Sequence, residues 1–318
     1  MNNTPAGASQ PTTFNLKLYF ALSRTPHGLL DMATPAAAAF LWLGTFPALE
    51  TAVLGFVTAF AGYTAVYALN DLVDYRVDRM RFNQGLFPDL QNDLDSIFVR
   101  HPMAYGLLPF GKALFWTTAW TLLALAGAYL LNPICVAIFL IACALETVYC
   151  LLWKSTYLKT FISGAVKTSG AVAAVFAVDP NPSVLFLVFL FLWLLSWEIG
   201  GQNIPNDWSD IEEDRLLKAA SVPVCFGEAC AGALILFFLV VVMALNPVLW
   251  SVATPQGAFP FIGIAASFCA GVYLLLAPAL RLYRTRQRTD ALALFNRASY
   301  YPVAMLVIVI LNMLLSNR

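Results

Sequence analysis

The sequence has few charged residues for its length. Of 318 residues, 11% are charged and 60% are hydrophobic, whereas a soluble domain usually carries about a quarter charged residues. So few charges cannot cover the surface of a soluble protein, which excludes a soluble enzyme, a disordered protein and a disulfide scaffold. An excess of basic residues is also missing, because 18 basic residues balance 18 acidic ones. Nucleic-acid binding is therefore not expected, and a polytopic membrane protein remains.

Patterns typical of thiol or histidine metal sites are absent as well. The six cysteines form no C-x-x-C pair, and the two histidines, His27 and His101, lack metal-ligand spacing. We expect the cysteines to be buried as small apolar residues. Residues 1–13 are polar and contain no Lys or Arg, unlike a secretory signal. We therefore predict a disordered cytoplasmic tail at 1–14 and a single membrane domain at 15–318.

Long apolar segments make up most of the chain. A membrane-spanning helix needs about 20 mostly apolar residues, and nine segments meet this requirement: 29–49, 51–69, 112–131, 133–153, 160–178, 183–203, 224–245, 259–280 and 299–315. The sequence therefore predicts an all-α bundle of nine transmembrane helices, embedded in membrane lipid.

The basic residues predict how this bundle is oriented. They lie in the N-terminal segment and in the connections after helices 2, 4, 6 and 8, and of the 18 only Arg318 falls on the other face. Basic connections usually remain cytoplasmic. We therefore expect a multi-pass protein, in the plasma or inner membrane if it is bacterial. The loops after helices 2 and 6 would form cytoplasmic caps.

Two acidic segments repeat at the predicted cytoplasmic ends of helices 2 and 6. Residues 70–78 and 206–214 both have the pattern N-D-x-x-D-x-x-x-D. The repetition indicates an internal duplication of a helical unit. Residues three, four and seven positions apart share one face of a helix. Clustered carboxylates repel one another and need a compensating charge.

A hard divalent cation would supply that charge. Mg²⁺ binds oxygen ligands and leaves part of its coordination shell to water and substrate phosphate. Two facing motifs could hold two or three such ions around a diphosphate. The candidate ligands are Asn70, Asp71, Asp74, Asp78, Asp207, Asp210 and Asp214.

At these residues the chain resembles the UbiA superfamily of membrane prenyltransferases, whose members carry N-D-x-x-D-x-x-x-D after the second span and D-x-x-x-D after the sixth. Arg100, Pro102 and Gly106 resemble the family's R-P-x-x-x-G run. Two departures stand out: His101 interrupts the Arg-Pro pair, and Lys218 stands where glycine is common. The connection at 79–100 is also longer than usual, and its apolar spacing predicts an amphipathic helix.

The resemblance implies Mg²⁺-dependent transfer of an isoprenyl chain from a prenyl diphosphate to a lipophilic acceptor, with release of pyrophosphate through an allylic carbocation. The residues that it assigns to catalysis are Asp74, Asp78, Asp210 and Asp214. Those that it assigns to the diphosphate are Arg24, Arg81, Arg100, Tyr149 and Lys154. Intramembrane polar residues usually face a cavity, so Glu198 and Gln202 are candidates for contacting the acceptor.

Other functions remain open at this stage. A membrane terpene cyclase of the same superfamily would ionise the same donor and quench the cation within its own chain. A transporter would also use intramembrane acids, but its acids are expected near the bilayer midplane rather than at the helix ends. The acceptor, which could be an aromatic or quinone precursor or another lipophilic molecule, is not determined by the sequence, and neither are the prenyl chain length and the oligomeric state.

Overall fold

The computed structural model describes residues 15–86, 98–253 and 260–316. Within these ranges the regular structure is entirely helical. Two π-helical segments, Glu198–Asn203 and Val272–Leu276, interrupt the α-helices. The α-helices are α1 Leu16–Leu22, α2 Thr25–Asp31, α3 Ala33–Leu43, α4 Leu49–Asn83, α5 Phe110–Leu131, α6 Pro133–Leu151, α7 Lys159–Val178, α8 Val184–Trp197, α9 Ile204–Ser209, α10 Ile211–Leu217, α11 Val222–Val252, α12 Pro260–Gly271, α13 Ala277–Thr285, α14 Arg288–Ser299 and α15 Tyr301–Ser316.

Eight helical segments of the described chain are long and apolar enough to cross a membrane. They coincide with the second to ninth predicted spans, which confirms an all-helical, multi-pass fold. Large apolar side chains on them stay exposed, as at Phe115 and Leu130, where lipid can cover them. The eight segments are Leu49–Asn83, Phe110–Leu131, Pro133–Leu151, Lys159–Val178, Val184–Ser209, Val222–Val252, Phe261–Thr285 and Arg288–Leu315.

The first predicted span is divided. Helices α2 and α3 are separated at Met32, although the backbone there stays right-handed, with φ −60° and ψ −19°. Pro35 has no backbone N–H to donate to the carbonyl of Asp31, so the helical hydrogen bonding is interrupted there. The span therefore consists of two short helices, and neither alone has the length of a membrane-spanning helix.

The main apolar core lies in the second half of the bundle. It joins α8, α11 and α15 and includes the fully buried Trp197, Trp208 and Tyr301. Helix α3 packs against both α7 and α15 and so connects the two halves. A smaller core joins α1, α4 and α5 around Leu22 and Ala68.

The two acidic motifs differ in backbone conformation. The first lies within the uninterrupted α4, whereas the second is divided between α9 and α10 at Asp210, which has φ −105° and ψ 14°. The π-helical segment that precedes α9 contains Gly200. A Cβ atom there would lie 3.0 Å from Cβ of Phe238 and 3.1 Å from the carbonyl oxygen of Ile235. Glycine is therefore needed for close packing against α11.

The expectation for the cysteines is only partly correct. Cys135 and Cys150 are buried, but Cys225, Cys230 and Cys269 are exposed on the apolar helices. The predicted tail at 1–14 and nearly all of the predicted amphipathic helix within 79–100 lie outside the described residues.

Candidate active site

A cavity of about 720 Å³ extends through the bundle, and both acidic motifs line one end of it. Six of the seven candidate ligands face it, and Asp71 does not. Two asparagines also line this end, Asn203 shortly before the second motif and Asn206 as its first residue. The six candidates are Asn70, Asp74, Asp78, Asp207, Asp210 and Asp214.

The first motif presents its residues on a single helix. Asn70 is held from both sides, because Nη2 of Arg24 donates to its Oδ1 at 3.3 Å and its Nδ2 donates to Oε1 of Glu146 at 2.6 Å. Asp74 lies one turn further and Asp78 another, as the helical period requires. The buried Asp71 points elsewhere and pairs with Arg24 at 3.5 Å. Three residues of this motif therefore line the cavity, and the fourth, Asp71, pairs with the arginine that contacts Asn70.

The second motif places three carboxylates opposite the first. Nζ of Lys159 lies 3.3 Å from Oδ1 of Asp207, and Nη2 of Arg81 lies 3.7 Å from Oδ1 of Asp214. The hydroxyl of Ser209 donates to Oδ1 of Asp210 at 3.2 Å. Burial raises the pKa of Asp210 and outweighs the opposing charge of the nearby arginines. Three neighbouring carboxylates repel one another unless cations lie between them. The basic side chains of the protein supply only part of that positive charge.

His101 belongs to this site, although sequence reasoning assigned it no role. Its Nδ1 lies 2.9 Å from Oδ2 of Asp78 and 3.4 Å from Oδ1 of Asp71. Burial opposes its protonation, but these two carboxylates outweigh burial and raise the pKa of His101 to about 9. His101 adopts a left-handed conformation with φ 54° and lies in the segment that precedes α5. No spacing within the sequence indicates this approach.

The basic side chains predicted for the diphosphate are not all in the cavity. Arg24, Arg81 and Arg100 line it, whereas Lys154 is exposed and places Nζ 4.6 Å from the ring centroid of Trp153. The buried Lys159, at the start of α7, lines the cavity instead.

The predicted Tyr149 also faces the cavity. Its ring lies 5.3 Å from Nζ of Lys159, and its hydroxyl accepts a hydrogen bond from Nδ2 of Asn203 at 3.4 Å. Four of the five predicted groups therefore lie together, and Lys159 joins them.

A second polar layer lies deeper in the cavity. The hydroxyl of Ser163 donates to Oε1 of Glu198 at 2.9 Å, while Oε2 of Glu198 is buried without a hydrogen-bond partner among the described residues. Lys167 is hydrogen-bonded to Asp31 and to the hydroxyl of Tyr67. Because Glu198 and Lys167 both line the cavity, this layer can contact a polar group of a bound molecule.

Gln202 lines the same cavity, but its amide is engaged by α14. Its Nε2 donates to the carbonyl oxygen of Phe295 at 3.2 Å, and its Oε1 accepts from the hydroxyl of Ser299 at 3.2 Å. Of the two residues predicted to contact an acceptor, only Glu198 keeps an oxygen without a partner in the described chain.

The residues around the motifs suit an oxygen-preferring cation. Oδ2 of Asp207 and Oδ1 of Asn203 are buried at the cavity and accept no hydrogen bond from any described residue. Such buried acceptors are costly unless a cation, water or ligand satisfies them. Carboxylate and amide oxygens are the ligands that Mg²⁺ binds, so the residues present fit a magnesium site.

Comparison with known proteins identifies the family. The sequence pattern of the UbiA prenyltransferase family matches residues 32–301, which is most of the chain. No curated protein matches the chain by sequence. The chain therefore belongs to the UbiA prenyltransferase family on the strength of the family pattern.

Solved structures share the fold. A UbiA homologue from Aeropyrum pernix K1 in its apo form has 20% identity and a TM-score of 0.68, with 90% of this chain and 98% of that chain covered. A UbiA homologue from Archaeoglobus fulgidus bound to GPP and Mg²⁺ has 17% identity and a TM-score of 0.66, with 92% and 99% covered. A structure described for digeranylgeranylglyceryl phosphate synthase has 20% identity and a TM-score of 0.64, with 95% and 98% covered.

Proposed function

We propose that this UbiA family member transfers an isoprenyl chain from a prenyl diphosphate to a lipophilic acceptor, with Mg²⁺ bound by the two acidic motifs. The main support is that both motifs line one end of a single cavity whose far part is apolar. This arrangement suits a ligand with an anionic head and a long hydrocarbon tail. The homologue from Archaeoglobus fulgidus was solved with GPP and Mg²⁺, which is consistent with this ligand.

The chain's own residues would divide the work at the diphosphate. Asn70, Asp74 and Asp78 would hold metal from α4, and Asp207, Asp210 and Asp214 would hold it from α9 and α10. When bound, Mg²⁺ acts as a Lewis acid that neutralises the diphosphate charge. Arg24, Arg81, Arg100 and Lys159 line the same end of the cavity and would bind phosphate oxygens.

The reaction would break the bond between C1 of the donor and its diphosphate oxygen. The acceptor would then form a bond to the allylic cation at C1 and lose its proton to the Glu198 carboxylate, while the pyrophosphate would remain among the acidic and basic residues. The aromatic rings of Tyr63 and Tyr67 line the cavity beyond Asn70 and would stabilise a cation over their faces.

The deeper polar layer offers a site for the polar group of an acceptor. Oε2 of Glu198 is buried without a hydrogen-bond partner in the described chain, which suits an acceptor that carries an O–H or N–H group. A carboxylate there would also serve a cyclase as the base that removes a proton from its cation, so the products formed from the donor alone distinguish the two reactions. The active site would open on the cytoplasmic side, because the basic connections lie at the same end of the helices as the motifs.

Asparagine substitutions of both motifs test the proposal. Asp74→Asn and Asp210→Asn should each lower turnover of a prenyl diphosphate by about a hundredfold, since each removes a charged group that stabilises the reaction electrostatically. The double variant should lose much less than the product of the two single losses, because residues that act as a unit are not additive. Excess EDTA should abolish turnover in the wild type.

Glu212→Gln is the matched control. Glu212 lies on α10 between the second-motif residues, but its side chain is 69% exposed and pairs with Arg288, so its turnover should stay near that of the wild type. Near-normal turnover in well-folded Asp74→Asn or Asp210→Asn would contradict the two-motif site. Cyclic hydrocarbon formed from donor alone would favour the cyclase.

A further inference from the structure

The apolar part of the cavity extends to the opposite end of the bundle from the acidic motifs. Residues that share one face of α4 line this cavity, from Asp78 at the motif end to Thr51 at the other. At the far end the lining includes Pro47 before α4, Leu131 at the end of α5 and Val178 at the end of α7. These residues lie where three helices begin or end on the far side, so the cavity covers nearly the full length of α4.

Small side chains create this space. The helix stripe beyond Tyr63 consists mainly of glycine and alanine, and α7 contributes a similar set. Two hydroxyls of this part, those of Thr58 and Ser169, donate to backbone carbonyls of their own helices and so leave the lining largely apolar. Among the residues that the structure describes, no charged side chain lines this far part. The small residues are Ala52, Gly55, Ala59, Gly62, Gly170, Ala173, Ala174 and Ala177.

We propose that this cavity accommodates the extended tail of a long-chain prenyl diphosphate, of about seven isoprene units, along α4. The inference rests on the proposed function, which places the diphosphate beside Asp74. From Asp74 to Thr51 is 74 − 51 = 23 residues, or about 35 Å of helix at 1.5 Å per residue. An extended isoprene unit, with four C–C bonds along the chain, covers about 5 Å.

Two glycines allow the length to be measured. Gly62 lies about 18 Å from Asp74 along α4, and Gly55 about 28 Å. A Cβ at Gly55 would meet no atom within 4 Å, and one at Gly62 would meet only the Phe139 ring, at 3.6 and 3.9 Å. Larger side chains at Gly62 and Gly55 would therefore enter the cavity and leave room for about three and about five complete isoprene units, respectively.

The test measures binding rather than turnover. Non-hydrolysable prenyl diphosphate analogues with two, four or seven isoprene units are titrated with saturating Mg²⁺ into protein in lipid nanodiscs. Gly55→Trp should weaken binding of the seven-unit analogue at least about tenfold, and Gly62→Leu should weaken the four- and seven-unit analogues similarly, since a filled pocket excludes chain atoms. Both should bind the two-unit analogue as the wild type does.

Val53→Trp is the control, because Val53 is 55% exposed and lies on the same turn of α4 outside the cavity lining. It should bind all three analogues normally. Equal losses at every chain length, or no loss for the seven-unit analogue in Gly55→Trp, would overturn the inference while leaving the proposed function intact. Failure of the wild type to bind any analogue with Mg²⁺ would overturn the proposed function and this inference together.

Discussion

Lys218 adopts a backbone conformation that normally favours glycine. It ends α10 with φ 57° and ψ 40°, in the left-handed region. A side chain in this region costs about 1–2 kcal/mol relative to the right-handed conformation. Glycine, which has no Cβ, adopts this conformation without that cost.

We therefore expect Lys218→Gly to stabilise the protein by about 1 kcal/mol, a net value reduced by the greater freedom of glycine in the unfolded chain. The measurement is thermal unfolding in detergent. Lys112→Gly is the control, because Lys112 lies in the right-handed first turn of α5, where glycine should destabilise rather than stabilise. A loss of stability in Lys218→Gly would contradict the left-handed conformation.

For individual residues, the sequence predicted which acidic side chains lie in the cavity more accurately than which basic ones do. The acids repeat with helical spacing, which brings Asp74 and Asp78 to one face wherever the helix lies. The basic residues carry no such pattern, because the cytoplasmic ends of spans attract them anyway. Lys154 and Lys159 are therefore equivalent in sequence, and only the turn between α6 and α7 determines which of them is buried. Likewise, the left-handed turn at His101 that brings it to Asp78 leaves no sequence signal.

Among the helices, a buried ion pair connects three elements of the first half. Asp31 at the end of α2 pairs with Lys167 of α7, and Tyr67 of α4 hydrogen-bonds to both. His27 of α2 adds a contact, with Nε2 3.8 Å from Oδ1 of Asp31. Removing one partner of such a pair leaves a buried charge uncompensated.

Lys167→Met should therefore destabilise the protein by about 3–5 kcal/mol. Asp31→Asn combined with Lys167→Met should recover most of that loss, because no buried charge remains unpaired. Thermal unfolding of the two variants and the wild type in one detergent gives the comparison. If the double variant is as unstable as the single one, the effect comes from lost packing by the lysine stem rather than from charge.

The helix breaks around the second motif could not be predicted from apolar spacing. Glu198, Gln202 and Asn206 are four residues apart, a spacing that predicts one continuous α-helical face. The π-helical segment changes the register there, and π-helical turns are recurrent at functional sites. The signal that could have suggested it is the Gly200-Gly201 pair, because glycine within an apolar helix indicates a close approach.

At the scale of the whole molecule, eight spans follow from length and composition, and the first remains to be tested. Geometry supports it as a crossing. Arg24 contacts Asn70 near the motif end of α4, and α3 ends at Leu43, shortly before α4 begins at Leu49. Between these points α4 covers 70 − 49 = 21 residues, or about 32 Å. Helices α2 and α3 must cover the same distance in the opposite direction.

We therefore expect Asn15 and Gln287 to lie on the same face of the membrane and Asn181 on the other. Single cysteines at these exposed positions are labelled with an impermeant maleimide in sealed vesicles of known orientation. Cys225, Cys230 and Cys269 are first replaced by serine, because they are exposed.

If α2 and α3 cross the membrane, an odd number of crossings separates position 15 from position 181, and both 15 and 287 should react from the cytoplasmic side. If α2 and α3 only dip into the bilayer, position 15 would be labelled from the same side of the membrane as position 181 and from the side opposite to position 287. That outcome would contradict the nine-span prediction and place Arg24 on the wrong side for the motif that it contacts.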